Sequence, residues 1–154
     1  MAELKSFTFI VPGKPQGKER PRSGRNGHFY TPKKSHMYED LVRYNAKEEY
    51  SKVYENTRPL ECAVSVDIVA VYEIPKSYPK KRKEACMSGQ ELPTKKPDSD
   101  NIIKSILDGM NPKKKHKLML IEGIYKDDSQ VTACSLKKEY GANPEVRVRV
   151  SWYD

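Results

Sequence analysis

Residues 62–72, Cys-Ala-Val-Ser-Val-Asp-Ile-Val-Ala-Val-Tyr, constrain the fold more than any other stretch of the chain. Side chains branched at Cβ fit a pleated surface, and this run is long enough to cross a sheet. It therefore predicts a central strand, and the rest of the chain must supply its neighbours and a layer to cover it. At 154 residues one domain is the expectation, since a chain of about 150 residues buries about 68–70% of its unfolded surface around a single core.

Further strands are predicted at residues 6–11, ended by Pro12 and Gly13, and at about 129–140 and 145–152, joined by a turn at Gly141-Ala-Asn-Pro144. Tyr30 starts a return strand. Thr31 is read as the N-cap of a helix with Pro32 at its first position, running to about Tyr50 with Tyr38, Leu41, Val42, Asn45 and Glu49 as a narrow stripe. A short helix is expected near 80–87. Another opens at Asp98-Ser-Asp-Asn101, where Ile102, Ile103, Ile106 and Leu107 recur at helical spacing, and Gly109 or Asn111-Pro112 ends it. Residues 118–121 form a short helical or strand segment. Strands and helices mix without strict alternation, so the fold class expected is α+β (mixed α/β), a mixed sheet with helices packed on it.

No stretch approaches the 18 or so apolar residues that cross a bilayer, and no apolar signal core follows the N-terminus, so a soluble cytoplasmic protein with no membrane partner is expected. Cys62, Cys86 and Cys134, even with His28, His36 and His116, match neither a disulfide framework nor zinc spacing. The formal net charge is +8. Alone it admits nucleic acid, an anionic membrane surface or simple solubility, so its distribution decides. Of 29 Lys and Arg residues, 18 fall in three connecting segments, 14–34, 76–96 and 113–117. A solvated face mixes its signs more evenly, and three such segments together point to a polyanion. The first is a Gly- and Pro-rich loop, expected to be mobile, whose Lys14, Lys18, Arg20 and Arg22 would hold backbone phosphates. Lys33, Lys34 and Lys96 are further candidate DNA contacts.

Carboxylates interrupt this basic background at Asp98, Asp100 and the pair Asp127-Asp128, with Lys104 one helical turn after Asp100. A protein that only binds a phosphodiester gains nothing from acids beside it. One that cleaves it does, because carboxylate oxygens hold Mg²⁺, which neutralises phosphate and lowers the pKa of an attacking water. The plainer alternatives are a helix cap at Asp98 or Asp100, an Asp100–Lys104 surface pair, and a turn or strand-edge pair at Asp127-Asp128. Asp108 and Glu122 are weaker candidates, Asp108 as an ordinary helix partner of Lys104. His28 and His36 suit phosphate contact or no role. Tyr72, Tyr78 and Trp152 suit base stacking or ordinary packing.

Four ordered motifs, Gly13-Lys-Pro-Gln-Gly-Lys-Glu-Arg-Pro-Arg22, Tyr30-Thr-Pro-Lys-Lys-Ser35, Lys96-Pro-Asp-Ser-Asp-Asn-Ile-Ile-Lys104 and Tyr125-Lys-Asp-Asp-Ser-Gln-Val131, span nearly the whole chain. Together they resemble the RusA family of Holliday junction resolvases. The resemblance implies a small homodimeric endonuclease, dependent on Mg²⁺ with Mn²⁺ able to substitute, that nicks four-way DNA junctions symmetrically in recombination and repair and leaves a 5′-phosphate and a 3′-hydroxyl. By motif position it puts the essential acids, the metal ligands, at Asp98, Asp100 and Asp128, and the essential lysine at Lys104. Ser99 stands where the family more often has an apolar residue. The stretch between Leu107 and Tyr125 is longer than in many members and carries the run at 113–117, a DNA contact or a solvated loop. A non-cutting binder of branched DNA and an RNA-directed metal nuclease are the competing readings.

Overall fold

In the computed structural model, which describes residues 2–55, 57–116 and 118–154, the branched run forms β4 (Val64–Glu73). Its partners are β1 (Leu4–Pro12), β7 (Val131–Gly141) and β8 (Glu145–Tyr153), in the order β1-β8-β4-β7. The predicted central strand is thus interior. β8 runs antiparallel to both β1 and β4, whereas β7 is parallel to β4. The two closing strands do not pair with each other. Their short connection passes the end of β4, which lies between them. The sheet is therefore mixed, and with its helices the fold is α+β.

Alternation along each strand gives the sheet one buried face. Phe7, Phe9 and Val11 of β1, Val66, Ile68 and Ala70 of β4 and Val146, Val148 and Val150 of β8 point into one core, while Arg147 and Arg149 take the opposite face. That core is covered by α1 (Lys33–Val53) and α3 (Ser99–Met110). α1 begins one residue later than its sequence suggests, with Pro32 rather than Thr31 at the N-cap. Its inward stripe is Tyr38, Val42, Ala46 and Tyr50, and Leu41 is exposed. Tyr50 sets this rotation by stacking on Phe7 at 5.0 Å and meeting Trp152 edge-on at 6.0 Å. Trp152 therefore belongs to the core rather than to a base-stacking surface.

Smaller elements decorate this frame. β2 (Arg22–Ser23) pairs with β3 (Phe29–Tyr30), α2 (Lys80–Ser88) packs on β7, and β5 (Lys113–His116) pairs with β6 (Met119–Ile121). The segment at 118–121 is thus largely strand, and the basic run at 113–117 enters a hairpin, with Lys117 itself outside the described residues. Among the described residues no helix is long and apolar enough to cross a membrane. The three cysteines are free thiols, with Cys86 buried and Cys62 and Cys134 exposed.

α1 and α3 touch closely at Gly109, where an added Cβ would lie 2.5 Å from the Cβ of Val42. Gly109→Ala gains about 1 kcal/mol in helix propensity, yet it is expected to destabilise the protein by about 1–3 kcal/mol because the helices must separate. Urea unfolding measures the sum of the two effects, and a stabilised variant would show that the helices yield freely.

Candidate active site

Asp98 occupies the N-cap position of α3 and Asp100 its first turn. The Asp98 carboxylate accepts no capping hydrogen bond. Its backbone carbonyl instead receives the Ile102 N–H at 3.1 Å. Asp98, Asp100 and Lys104 are all exposed, and among the described residues none forms an ion pair or a side-chain hydrogen bond. The plainer roles for these acids, a side-chain cap and a surface pair with Lys104, are both unfilled.

The first basic loop crosses this helix. Its Lys18 N–H donates to the carbonyl of Asn101 at 3.0 Å, and the Ser105 hydroxyl donates to the carbonyl of Gln16 at 2.8 Å. A Cβ on Gly17 would come within 2.9 Å of Asn101 and Pro97, so only glycine permits this approach. The loop was expected to be mobile, but residues 16–18 are strapped to α3. Lys18 reaches inward and bridges two carboxylates, Glu39 of α1 at 2.5 Å and Asp108 of α3 at 2.9 Å. Burial works against its charge, but the hydrogen bonds to Glu39 and Asp108 outweigh it and hold the ammonium above its ordinary pKa. Lys18 was expected to contact DNA phosphate, and its charge is instead compensated within the fold. Asp108 pairs with Lys18 rather than with Lys104.

The Asp127-Asp128 pair lies on a tight helical turn rather than a strand, and its members have different surroundings. Asp127 accepts from the Ser129 N–H at 3.0 Å, and Gln130 returns a bond from the Asp127 N–H at 3.0 Å, a capping box that accounts for the first acid. Hydrogen bonds to Ser129 hold the Asp127 carboxyl below its usual range. The Asp128 carboxylate takes no part in that capping and accepts from the Asn111 amide at 3.0 Å. Asn111 ends α3, and Arg43 fixes it there by donating to the carbonyls of Asn111 at 2.9 Å and Asp108 at 3.3 Å.

A cleft of about 680 Å³ opens at the start of α3. Asp98 lines it together with Lys18, Arg20, Arg22, Lys34 and Lys96, which brings one proposed metal ligand among five of the predicted DNA contacts. Arg22 pairs with Glu19 at 3.3 Å in solvent, whereas Arg20, Lys34 and Lys96 have no carboxylate partner among the described residues. Lys33 stands at the start of α1 outside the cleft, and Lys14 lines a neighbouring pocket.

Asp128 is not beside Asp98. Its partner Asn111 closes the helix that Asp98 opens, and at about 1.5 Å per residue the length of α3 separates its ends by roughly 18 Å. Asp100, Lys104 and Asn111 nevertheless share one face, since spacings of four and eleven residues return close to the same azimuth. Among the described residues no three His, Cys, Asp or Glu side chains gather to hold a metal ion. The donors at the start of α3 do fit a hard divalent cation of the Mg²⁺ kind, which binds through one or two carboxylates and takes its remaining oxygens from water and substrate phosphate. Asn111 and Glu39 are the site residues that sequence reasoning missed, and Asp108, a weaker candidate there, has Lys18 as its partner. For Asn111 the available signal was its position just after the last helical residue, which was read only as a stop.

A model of the family described as endodeoxyribonuclease RusA matches residues 12–151. The chain belongs to the RusA endodeoxyribonuclease family. It is also similar to the uncharacterized protein YqaN of Bacillus subtilis (strain 168), with 34% identity over 147 residues, covering 92% of this chain and 93% of that protein.

The Lys18 bridge defines a stability test. Because the folded-state pKa of Lys18 is raised above 10.5, its contribution is fully present below that value and is lost as pH rises through the folded value. Lys18→Met should cost about 2–3 kcal/mol, somewhat less than a fully buried pair because the site is partly open. In urea titrations the gap to wild type should stay level from about pH 7 to 10 and close above about pH 10.5. A gap that widens at high pH would exclude this account.

Proposed function

We propose that the protein is a divalent-metal-dependent, structure-specific endodeoxyribonuclease that resolves four-way DNA junctions by paired symmetric nicks, acting as a homodimer. Membership of the RusA endodeoxyribonuclease family supports the nuclease class. The observation that supports the reading for this chain is that Asp98, with no partner among the described residues, lines a cleft with the unpaired cations Arg20, Lys34 and Lys96, where the other carboxylate, Glu19, is paired with Arg22. Binding alone accounts for the cations. An acid left unpaired among them is accounted for by chemistry on the phosphate.

In this reading Asp98 and Asp100 hold the metal ion, with Mg²⁺ as the physiological ion and Mn²⁺ as a substitute. Bound there, such an ion neutralises phosphate charge and lowers the pKa of an attacking water. Arg20, Lys34 and Lys96 bind the backbone on either side of the scissile phosphate and fix its register. Lys104, exposed one turn below Asp100, orients the nucleophile or stabilises the charge that develops on the phosphoryl oxygens. Asp128 is the third acid by motif position, at the far end of the same helix face. Water adds to phosphorus, the bond to the 3′ oxygen breaks, and the water proton is passed on so that the 3′ oxygen leaves as a hydroxyl and the phosphate stays on the 5′ end. A two-fold dimer presents two such sites to the two equivalent strands of a junction.

A non-cutting binder of branched DNA is the reading to exclude. Asp100→Asn should abolish nicking of a mobile four-way junction in Mg²⁺ or Mn²⁺ while binding stays equal or tightens, since a negative charge near phosphate is removed. Wild-type protein that nicks no junction with either metal would refute the proposal, and structured RNA cut in preference to DNA would reassign the substrate. Arg20→Ala and Lys96→Ala should each flatten the slope of log affinity against log salt by about 0.9 per lost phosphate contact, read by titrations from low to moderate salt. An unchanged slope would remove that residue from the interface.

A further inference from the structure

A second pocket of about 470 Å³ lies beside the cleft and shares Pro15, Lys96 and Pro97 with it. Its walls are mostly apolar, formed by Ile74, Tyr72 and several prolines. Tyr72 is 6% exposed, and its hydroxyl is buried with no hydrogen-bond partner among the described residues. A buried hydroxyl left unpaired costs stability, so a ligand edge that reached it would gain a hydrogen bond without breaking one within the described residues. Burial also raises the Tyr72 pKa, which keeps the group a neutral donor.

Cations surround this apolar pocket. Lys14, Lys76, Lys95 and Lys96 line it, all exposed and none in an ion pair among the described residues, against the single carboxylate of Glu73. The Lys95 ammonium lies 6.0 Å from the Tyr72 ring centroid and 5.7 Å from that of Tyr140. Lys138 holds the wall in place by donating to the carbonyls of Lys95 at 2.9 Å and Pro97 at 2.7 Å. A flat, weakly polar group with a hydrogen-bonding edge and negative charge on both flanks matches this combination, and a nucleotide within a strand has that chemistry.

We propose that this pocket receives one unstacked nucleobase of the DNA strand whose backbone enters the cleft, with the Tyr72 hydroxyl bonding the base edge and Lys95 and Lys96 holding the flanking phosphates. The inference rests on the nuclease reading above and adds to it a separate base-binding site. A branch point suits it because bases there are the least costly to unstack. Shared walls at Lys96 and Pro97 would make occupancy of the pocket set which phosphate reaches Asp98.

The test uses the full chain in EDTA with four-way junctions carrying a single 2-aminopurine at each position next to the branch. On binding, one position should brighten and become shielded from acrylamide. Tyr72→Phe keeps the ring and removes only the unpaired hydroxyl, so junction affinity and shielding at that position should fall several-fold while thermal stability stays level or rises. Lys95→Ala should weaken the same signal. A merely structural Tyr72 would give the reverse, with lower stability and intact binding. No brightened position, or a signal indifferent to both variants, would overturn the proposal. So would binding of deoxynucleoside monophosphates with no junction signal, which assigns the pocket to free nucleotides. Nicking by wild type in Mg²⁺, scored separately, isolates failure of the pocket from failure of the nuclease reading.

Discussion

The ammonium of Lys18 between Glu39 and Asp108 joins three parts of the chain that are far apart in sequence: the first basic loop, α1 and α3. Without a cation at that point two carboxylates on packed helices would face each other at the edge of the core. With it, the loop is drawn onto α3, where the backbone bonds from Lys18 and to Gln16 fix its path. Arg20 and Lys34 line the cleft because this strap sets one wall and the start of α1 the other. One compensated charge thus positions the uncompensated ones.

Arg43 works beside this bridge, at the same C-terminal end of α3 that Asp108 occupies. It is buried on α1 and donates to the carbonyls of Asp108 and Asn111, groups that a helix C-terminus otherwise leaves unsatisfied. Burial lowers its pKa, yet a guanidinium starts high enough to stay charged, and its fork suits two carbonyls at once. Asn111 is thereby presented to Asp128. The C-terminal end of the helix that carries the proposed acids is therefore held from α1 twice, by an ion bridge and by a carbonyl clamp, while the loop backbone holds its start at Asn101.

The frame was readable from sequence wherever a local pattern was strong. The branched run could only be a strand, and the isoleucine stripe of α3 could only be a covered helix, because each pattern satisfies burial at one period. α1 was harder. Its Leu41 looked inward by type, but the aromatic cluster of Phe7, Tyr50 and Trp152 sets the rotation of the helix, and those partners are distant in sequence. The same limit applies to the site. Asp98, Asp100 and Lys104 stood out because one helix start gathers them, whereas Lys18 looked like any other loop cation. Its two carboxylate partners lie 21 and 90 positions away, and no local rule connects them.

Asp98 and Asp100 can remain unpartnered because of where they sit. The first turn of a helix presents unsatisfied N–H groups and the positive end of the helix dipole, which together stabilise nearby carboxylates by about 0.3–1 kcal/mol each without a cationic side chain. Elsewhere the same two acids would lack that field, and an acid tied up by a lysine or arginine has less to offer a metal ion. Asp127 shows the alternative outcome: its carboxylate is taken up by the turn that follows it, while the next residue is left to Asn111. Placing the acids at a helix start therefore resolves a conflict that a basic cleft would otherwise create. The cations are free to meet phosphate because the acids are not paired with them, and the positive end of the helix dipole favours the charge the acids keep.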